Sequence, residues 1–245
     1  MIDLLIGCVA GIFIGATGIG AGSILTPLLI LRGHDPLTAV TTGLVALIAA
    51  RTVGSLQHVL SGHWPASHGS RVLIGGVAGA ALGFVIVQQL VARTNLFETA
   101  LRMTLGVVLL SISLTGFVSG ILRKRIPAAG NGLITLAAVG TGAAVATTSA
   151  GSGTLLGALV FPATDWRVHE FSAVSNVFGL FAGLIGLAAY SRFDRFDPSL
   201  LVSVMAGSVI GIMVGVLASR RIQRAHFALA LRVLTVVLGL ALIMS

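Results

Sequence analysis

The chain has 245 residues, of which 56 % are hydrophobic and only 9 % are charged. Soluble domains carry about 25 % charged residues, so this composition excludes a soluble globular enzyme and a disordered chain. The net charge of +8 comes from scattered basic residues rather than a basic face, so we expect no nucleic-acid partner.

The first apolar run begins directly after Met1, Ile2 and Asp3, without the basic residues of a signal peptide. The run is also longer than the hydrophobic core of a signal peptide, so we interpret it as the first membrane segment. The single cysteine, Cys8, excludes a disulfide framework and a cysteine-based metal site. We expect neither a metal ion nor a cofactor.

Eight hydrophobic segments follow one another, which predicts an all-α polytopic membrane protein embedded in a lipid bilayer. A spanning helix needs about 20 apolar residues. Six of the segments fit one span each: 37–60, 72–92, 97–120, 171–190, 198–219 and 226–244.

The two other segments, 4–31 and 126–164, are too long for single spans. As continuous helices they would measure about 42 Å and about 58 Å. Each contains glycine and hydroxyl residues near its middle, at 16–23 and 147–154, where glycine favours non-helical backbone. We predict a broken helix at each stretch, either a re-entrant hairpin or a kinked span.

The two breaks lie in matching halves of the chain. Residues 20–25 align with 151–156, and residues 39–42 align with 173–176 in nearly the same register. We predict a first membrane repeat at 1–122, a basic linker at 123–126 and a second repeat at 127–245. Matching glycines at a spacing of four indicate close helix packing in both halves: Gly75, Gly79, Gly83, Gly207, Gly211 and Gly215.

The repeat orientation depends on whether the broken segments cross the membrane. Re-entrant segments give six full spans and two inverted, pseudo-symmetric repeats, whereas crossing segments give parallel repeats. The re-entrant arrangement separates the loop Lys and Arg residues more cleanly between the two sides. We favour inversion, with the N-terminus outside.

Paired broken helices in a duplicated membrane protein are typical of a transporter site near the membrane centre. Helix N-termini and glycine backbone there suit a small oxyanion, which hydroxyl side chains would also bind. The alternative is that these small residues only allow close helix packing. The predicted substrate-binding residues are Gly20, Gly22, Ser23, Thr41, Thr42, Arg51, Ser149, Gly151, Ser152, Gly153, Thr154, Ser175 and Asn176.

Arg51 is a cation inside an apolar segment, where a charge is costly and often functional. It either pairs with the anion or reaches a surface or a carbonyl for structural reasons. His58 is the candidate for proton coupling, because a histidine can titrate near neutral pH. Gln57 and His58 together can line an exit path.

Two other classes of function share part of this pattern. A passive anion channel would use the same site chemistry. Ala150-Gly151-Ser152-Gly153 resembles the motif of intramembrane serine proteases, but such a serine needs a base, and its counterpart in the first half is Ala21. We therefore predict a transporter rather than an enzyme.

The first glycine-rich break is followed by Pro27 and then by Asp35-Pro36, with Ala39 at the start of the next helix. This pattern, with the second break and the duplication, resembles the sulfite exporter TauE/SafE family, also called the toluene-sulfonate uptake permease family. The resemblance implies a multi-pass inner-membrane exporter or permease for sulfite, thiosulfate, sulfoacetate or another organosulfonate. We expect a small anionic substrate as partner and include self-association as a homodimer among the expectations.

Overall fold

The computed structural model describes residues 1–17, 22–60, 62, 64–65, 67–91, 94–122, 130–191, 196–219 and 224–244. Every regular element in these ranges is helical. The first half contains α1 (Ile2–Thr17), α2 (Gly22–Leu31), α3 (Pro36–Leu60), α4 (Gly69–Val91) and α5 (Thr94–Leu122). The second contains α6 (Asn131–Thr148), α7 (Thr154–Leu159), a 3-10 turn (Phe161–Ala163), α8 (Val168–Tyr190), α9 (Pro198–Ser219) and α10 (Arg224–Met244).

Five helices in the described part of the chain are long and apolar enough to cross a membrane: Pro36–His58, Gly69–Gln89, Asn131–Thr148, His169–Tyr190 and Pro198–Gly215. The outward faces of the bundle carry large exposed apolar side chains, such as Leu82, Val107, Leu114 and Ile210. Such a surface is compatible with hydrocarbon rather than with water. The predicted all-helical, membrane-spanning architecture is therefore confirmed.

The second over-long segment is broken, as predicted. Helix α6 ends at Thr148, Ser149 takes a left-handed conformation with φ of 61°, and Gly151 has φ of 105°. Such angles favour glycine and stop an α-helix, and α7 begins only at Thr154. In the first segment α1 ends at Thr17 and α2 begins at Gly22. Residues 18–21, including the predicted site residue Gly20, lie outside the described residues.

Two helix pairs run parallel with their backbones in contact. A Cβ atom on Gly79 of α4 would collide with the Val139 carbonyl of α6, and one on Gly207 of α9 with the Leu4 carbonyl of α1. Gly83 meets Ala143 at the next turn of the first pair. These contacts agree with the predicted packing role of the glycines spaced four residues apart.

Two further pairs run antiparallel. Along α3 and α8, Gly186 faces Leu44 and Gly183 faces Ile48, so one helix rises as the other descends. Along α5 and α10, the Ser113 and Thr235 hydroxyl oxygens lie 2.6 Å apart in the buried interface. The α3–α8 pair brings the middle of each half into contact at the centre of the bundle.

Each broken segment begins and ends at the same end of the bundle. Near the start of α1, Asp3 accepts hydrogen bonds from Arg32, just after α2, at 3.2 Å, and contacts His34 at 3.0 Å. We call this the Asp3 end. In the second segment, the Trp166 indole N–H donates to the Ser67 carbonyl at 2.9 Å. Because α6 runs parallel to α4, it also starts at this Trp166 end.

Candidate functional site

Arg51 lies in the middle of α3 and is only 6 % exposed. Its Nη1 atom donates to Asn176 Oδ1 of α8 at 2.9 Å. Its Nη2 atom donates to Ser152 Oγ, in the second break, at 3.0 Å. Three predicted site residues from separate elements therefore meet at one guanidinium, which we call the Arg51 centre.

The surroundings of the Arg51 centre hold these groups in position. The Asn176 amide donates to the Ser172 carbonyl at 2.9 Å, which turns its oxygen toward Arg51. The Ser175 hydroxyl donates to the Ser152 carbonyl at 3.3 Å and so ties the break to α8.

Two glycines provide the space that the guanidinium and the amide occupy. A Cβ atom on Gly54 would lie 2.6 Å from Asn176 Oδ1, and one on Gly179 would lie 3.1 Å from Arg51 Nε. Real Cβ atoms rarely approach neighbours so closely, so larger side chains at these positions would displace the polar groups. Glycine at these two positions therefore makes room for the side chains of Arg51 and Asn176 between α3 and α8.

The positive charge of Arg51 is held by neutral oxygens. In the described part of the chain, Arg51 makes no carboxylate contact, whereas Arg32 pairs with Asp3 near the start of α1. A buried charge without an opposite charge is costly, and a guanidinium carries five N–H donors. The Arg51 centre is therefore electrostatically suited to an anion.

The two broken segments contact each other beside this centre. The Thr26 and Ser149 hydroxyl oxygens lie 2.7 Å apart. Cβ atoms on Gly22 and on Gly43 would collide with Ser149 and with Thr26, respectively. Helix α2 of the first broken segment thus contacts the second break, and the close approach at Gly22 is to the protein's own Ser149 carbonyl.

The predicted half-helix after the second break is short. Helix α7 has six residues, because Pro162 lacks the backbone N–H needed to continue it. Its dipole can contribute little, and a role of the helix end at Thr154 in anion binding stays a prediction. The Thr154 hydroxyl is buried and has no hydrogen-bond partner within the described residues.

The other predicted site residues are buried, or half-buried in the case of Gly153, and make fewer informative contacts. The Thr41 hydroxyl bonds back to the Leu37 carbonyl at 2.8 Å, and Thr42 and Ser23 are buried. Gly151 has a left-handed backbone, and Gly153 directly precedes α7. A direct role of these five residues in binding stays a prediction.

Sequence reasoning missed Ser55 and Tyr190. Ser55 lies one helical turn beyond Arg51, and its hydroxyl is buried with no partner in the described part of the chain. The spacing of four from Arg51 was a usable signal. Tyr190, the chain's single tyrosine, donates to the Thr147 carbonyl beside the second break at 2.6 Å. No local pattern indicated that contact.

An apolar helical bundle with broken helices around a buried cation defines a polytopic membrane transporter. The chain belongs to the sulfite exporter TauE/SafE family, whose model matches residues 4–242. This confirms the predicted family and a membrane transporter of that type.

Two curated relatives are also described as transporters. The chain is 26 % identical to "Probable membrane transporter protein YjnA" of Bacillus subtilis (strain 168), over 98 % of each chain. It is 27 % identical to "Probable membrane transporter protein y4hK" of Sinorhizobium fredii (strain NBRC 101917 / NGR234), over 87 % of this chain and 85 % of the relative. No solved structure was found to match the chain.

Proposed function

We propose that the protein transports a small sulfur-containing anion that binds at the Arg51 centre. The observation that carries this proposal is the buried guanidinium, held by the neutral oxygens of Asn176 and Ser152 rather than by a carboxylate. An anion would supply the missing opposite charge and accept further hydrogen bonds from the N–H groups of the Arg51 guanidinium.

The proposed substrates are sulfite, thiosulfate, sulfoacetate or another organosulfonate. Each carries several acceptor oxygens, which suits a guanidinium surrounded by hydroxyl groups. The unpartnered Thr154 hydroxyl, two residues after Ser152, is a further donor for such an oxyanion. The family description, sulfite exporter, supports the sulfur chemistry.

The proposed topology is two inverted repeats with six crossing helices. The crossing helices are α3, α4, α5, α8, α9 and α10, while α1–α2 and α6–α7 form re-entrant hairpins. The contacts of Asp3 with Arg32 and of Trp166 with Ser67 support the hairpins, since each segment returns to its starting end. The reciprocal pairs α1–α9 and α4–α6 support the repeat.

The Trp166 end is the proposed cytoplasmic end. With the re-entrant topology, that end receives Arg71, Arg123, Lys124, Arg125, Arg167, Arg220, Arg221 and Arg224, and the other end receives Arg32, Arg93, Arg192 and Arg195. Cytoplasmic loops carry the excess of basic residues. The cell inner membrane is the corresponding location.

Transport is preferred to the two other functions that the sequence suggested. A serine protease needs a base beside its serine, but Ser152 receives its hydrogen bond from Arg51, whose guanidinium cannot accept a proton. A passive channel would use the same anion chemistry, but the family description, sulfite exporter, favours a transporter.

The test is anion binding to the purified protein in detergent. Sulfite, thiosulfate, sulfoacetate, taurine and sulfate are titrated against the parent protein and against Arg51→Gln. Loss of charged hydrogen bonds at Arg51 should weaken binding of the preferred anion by about tenfold to a hundredfold.

Arg71→Gln is the matched control, because it removes an exposed arginine at the start of α4. It should bind the same anions as the parent. Equal anion affinities for a folded Arg51→Gln variant and the parent would refute the proposed site.

A further inference from the structure

We propose that the anion reaches the Arg51 centre from the Trp166 end, along the interface of α3 and α8 past Ser55. In this structure an apolar cluster closes the same interface toward the Asp3 end. The inference rests on the proposed anion site and adds the route to it.

Ser55 is the first step of the proposed route. It lies four residues after Arg51 on α3, so both side chains lie on one helix face. Ser55 is 6 % exposed, and its hydroxyl has no hydrogen-bond partner among the described residues. A passing anion or its water would supply the partner that this buried hydroxyl lacks among the described residues.

The polar positions continue toward the Trp166 end on both helices. His58 lies one turn beyond Ser55 on α3 and is partly exposed. On α8, which runs antiparallel, Ser172 and His169 follow Asn176 in the same direction, and His169 is exposed. A polar lining therefore extends from the buried Arg51 centre toward solvent.

The opposite half of the α3–α8 interface is apolar and closely packed. Gly183 and Gly186 of α8 allow Ile48 and Leu44 of α3 to pack at distances of 3.1 and 3.2 Å from an added Cβ position. Beyond them, a cluster of buried residues joins α3, α4, α5 and α8: Leu37, Val40, Leu44, Val87, Leu101, Ala189 and Tyr190.

The two halves of the α3–α8 interface differ in polarity and therefore in the desolvation cost for an anion. Transfer of a charged group into an apolar, close-packed region carries a large desolvation cost. Hydroxyl and imidazole groups toward the Trp166 end can replace part of the hydration shell. The interface is therefore polar toward the Trp166 end and apolar toward the Asp3 end, and the apolar cluster must separate before the anion can leave at the Asp3 end.

Thiol accessibility tests the direction of the route. In a Cys8→Ala background, Ser55→Cys, His58→Cys and Leu44→Cys are each exposed to a membrane-impermeant methanethiosulfonate that carries a sulfonate. The reagent is applied separately to each face of vesicles with a known orientation. Without added anion, Ser55→Cys should react about tenfold faster or more from the Trp166 end than from the Asp3 end, and Leu44→Cys should react at least about tenfold more slowly than Ser55→Cys from either face.

Ser208→Cys is the matched control for Ser55→Cys. Ser208 is also a buried serine whose hydroxyl has no partner in the described part of the chain, but it lies where α9 packs on α1. It should stay unmodified. Reaction of both serine replacements at the same rate would show nonspecific access and overturn the proposal.

Two further results would overturn the route. One is faster labelling of Ser55→Cys and His58→Cys from the Asp3 end, and the other is rapid labelling of Leu44→Cys from that end. Anion binding by each cysteine variant is measured in parallel. Retained binding with the wrong direction of labelling rejects the route alone, whereas Arg51-independent binding rejects the proposed function.

Discussion

Helices α3 and α8 occupy corresponding places in the two halves of the chain, yet they contribute different chemistry to the Arg51 centre. Helix α3 supplies the cation, whereas α8 supplies the amide oxygen of Asn176. When residues 39–42 are aligned with 173–176, Asn176 corresponds to Thr42 and Arg51 corresponds to Ile185. Ile185 packs against an apolar cluster. Of these two corresponding positions, 51 and 185, only the one on α3 thus carries a positive charge.

The same two helices also differ in how they hold the breaks. Tyr190 at the end of α8 donates to the Thr147 carbonyl, while the corresponding residue of α3, Leu56, is 60 % exposed. The predicted duplication is thus compatible with a site whose charge and whose anchoring come from different halves. One bound anion, rather than two equivalent ones, is the expected stoichiometry.

Asn176→Asp should have the largest effect, because it places a carboxylate directly beside Arg51. The new ion pair would neutralise the Arg51 centre and repel an incoming anion. We expect anion affinity to fall by about a hundredfold while the protein remains folded. Titration of thiosulfate and sulfite measures the change.

Asn131→Asp is the control for that substitution, since Asn131 is exposed at the start of α6. It introduces the same negative charge far from the proposed substrate and should leave affinity unchanged. Undiminished binding by Asn176→Asp would show that the anion binds elsewhere.

Tyr190→Phe tests the anchoring difference between α8 and α3. It removes the donor to the buried Thr147 carbonyl without removing the ring. The free energy of unfolding should fall by about 1–3 kcal/mol, the range for leaving a buried polar group without its partner. Thermal unfolding in detergent measures this.

Leu56→Ala is the comparison variant on α3, and its exposed side chain predicts a small change in the free energy of unfolding. If both variants lose the same stability, the contact between Tyr190 and Thr147 does not distinguish the helices.

The sequence predicted the helices and the second break because these depend on local composition. Long apolar runs determine the spans, and Gly151 marks a backbone angle that other residues rarely adopt. The Arg51 centre was predicted only as a set of candidates. Its contacts join residues 101 and 125 positions apart, so the partner of Arg51 follows from helix packing and not from any local pattern.

Helix α7 is short because Pro162 ends the α-helical hydrogen bonding after Leu159. Ser55 was missed because a lone serine in an apolar helix usually bonds back to its own backbone, as Thr52 does here.

The contact between the two breaks should give a moderate coupling energy. Thr26→Val and Ser149→Ala each remove one hydroxyl of the 2.7 Å pair and leave the other buried. The double variant leaves neither, so it should be less destabilised than the sum of the single variants, by about 0.5–1.5 kcal/mol. Unfolding of all four proteins gives the coupling, and simple additivity would show that the breaks are not energetically linked.

The helix caps should give the smallest effects and also distinguish α3 from α8. The Asp35 carboxylate accepts from the Thr38 backbone N–H and hydroxyl at 3.2 and 3.3 Å, whereas Glu170 accepts from the Arg167 backbone N–H at 2.6 Å. Asp35→Ala removes the first cap and Glu170→Ala the second. Each should lower the free energy of unfolding by about 0.5 kcal/mol, the lower end of the range for a helix cap, because neither cap is fully buried.

Conservative variants separate the hydrogen bonds of the caps from their charge. Asp35→Asn and Glu170→Gln retain an acceptor oxygen and should recover most of the lost stability in thermal unfolding. Anion affinity should stay at the parent value in all four variants, because neither carboxylate contacts the Arg51 centre. A loss of anion binding at Glu170→Ala but not at Asp35→Ala would mean that the start of α8 helps to hold Asn176 in place, since the two lie on the same helix.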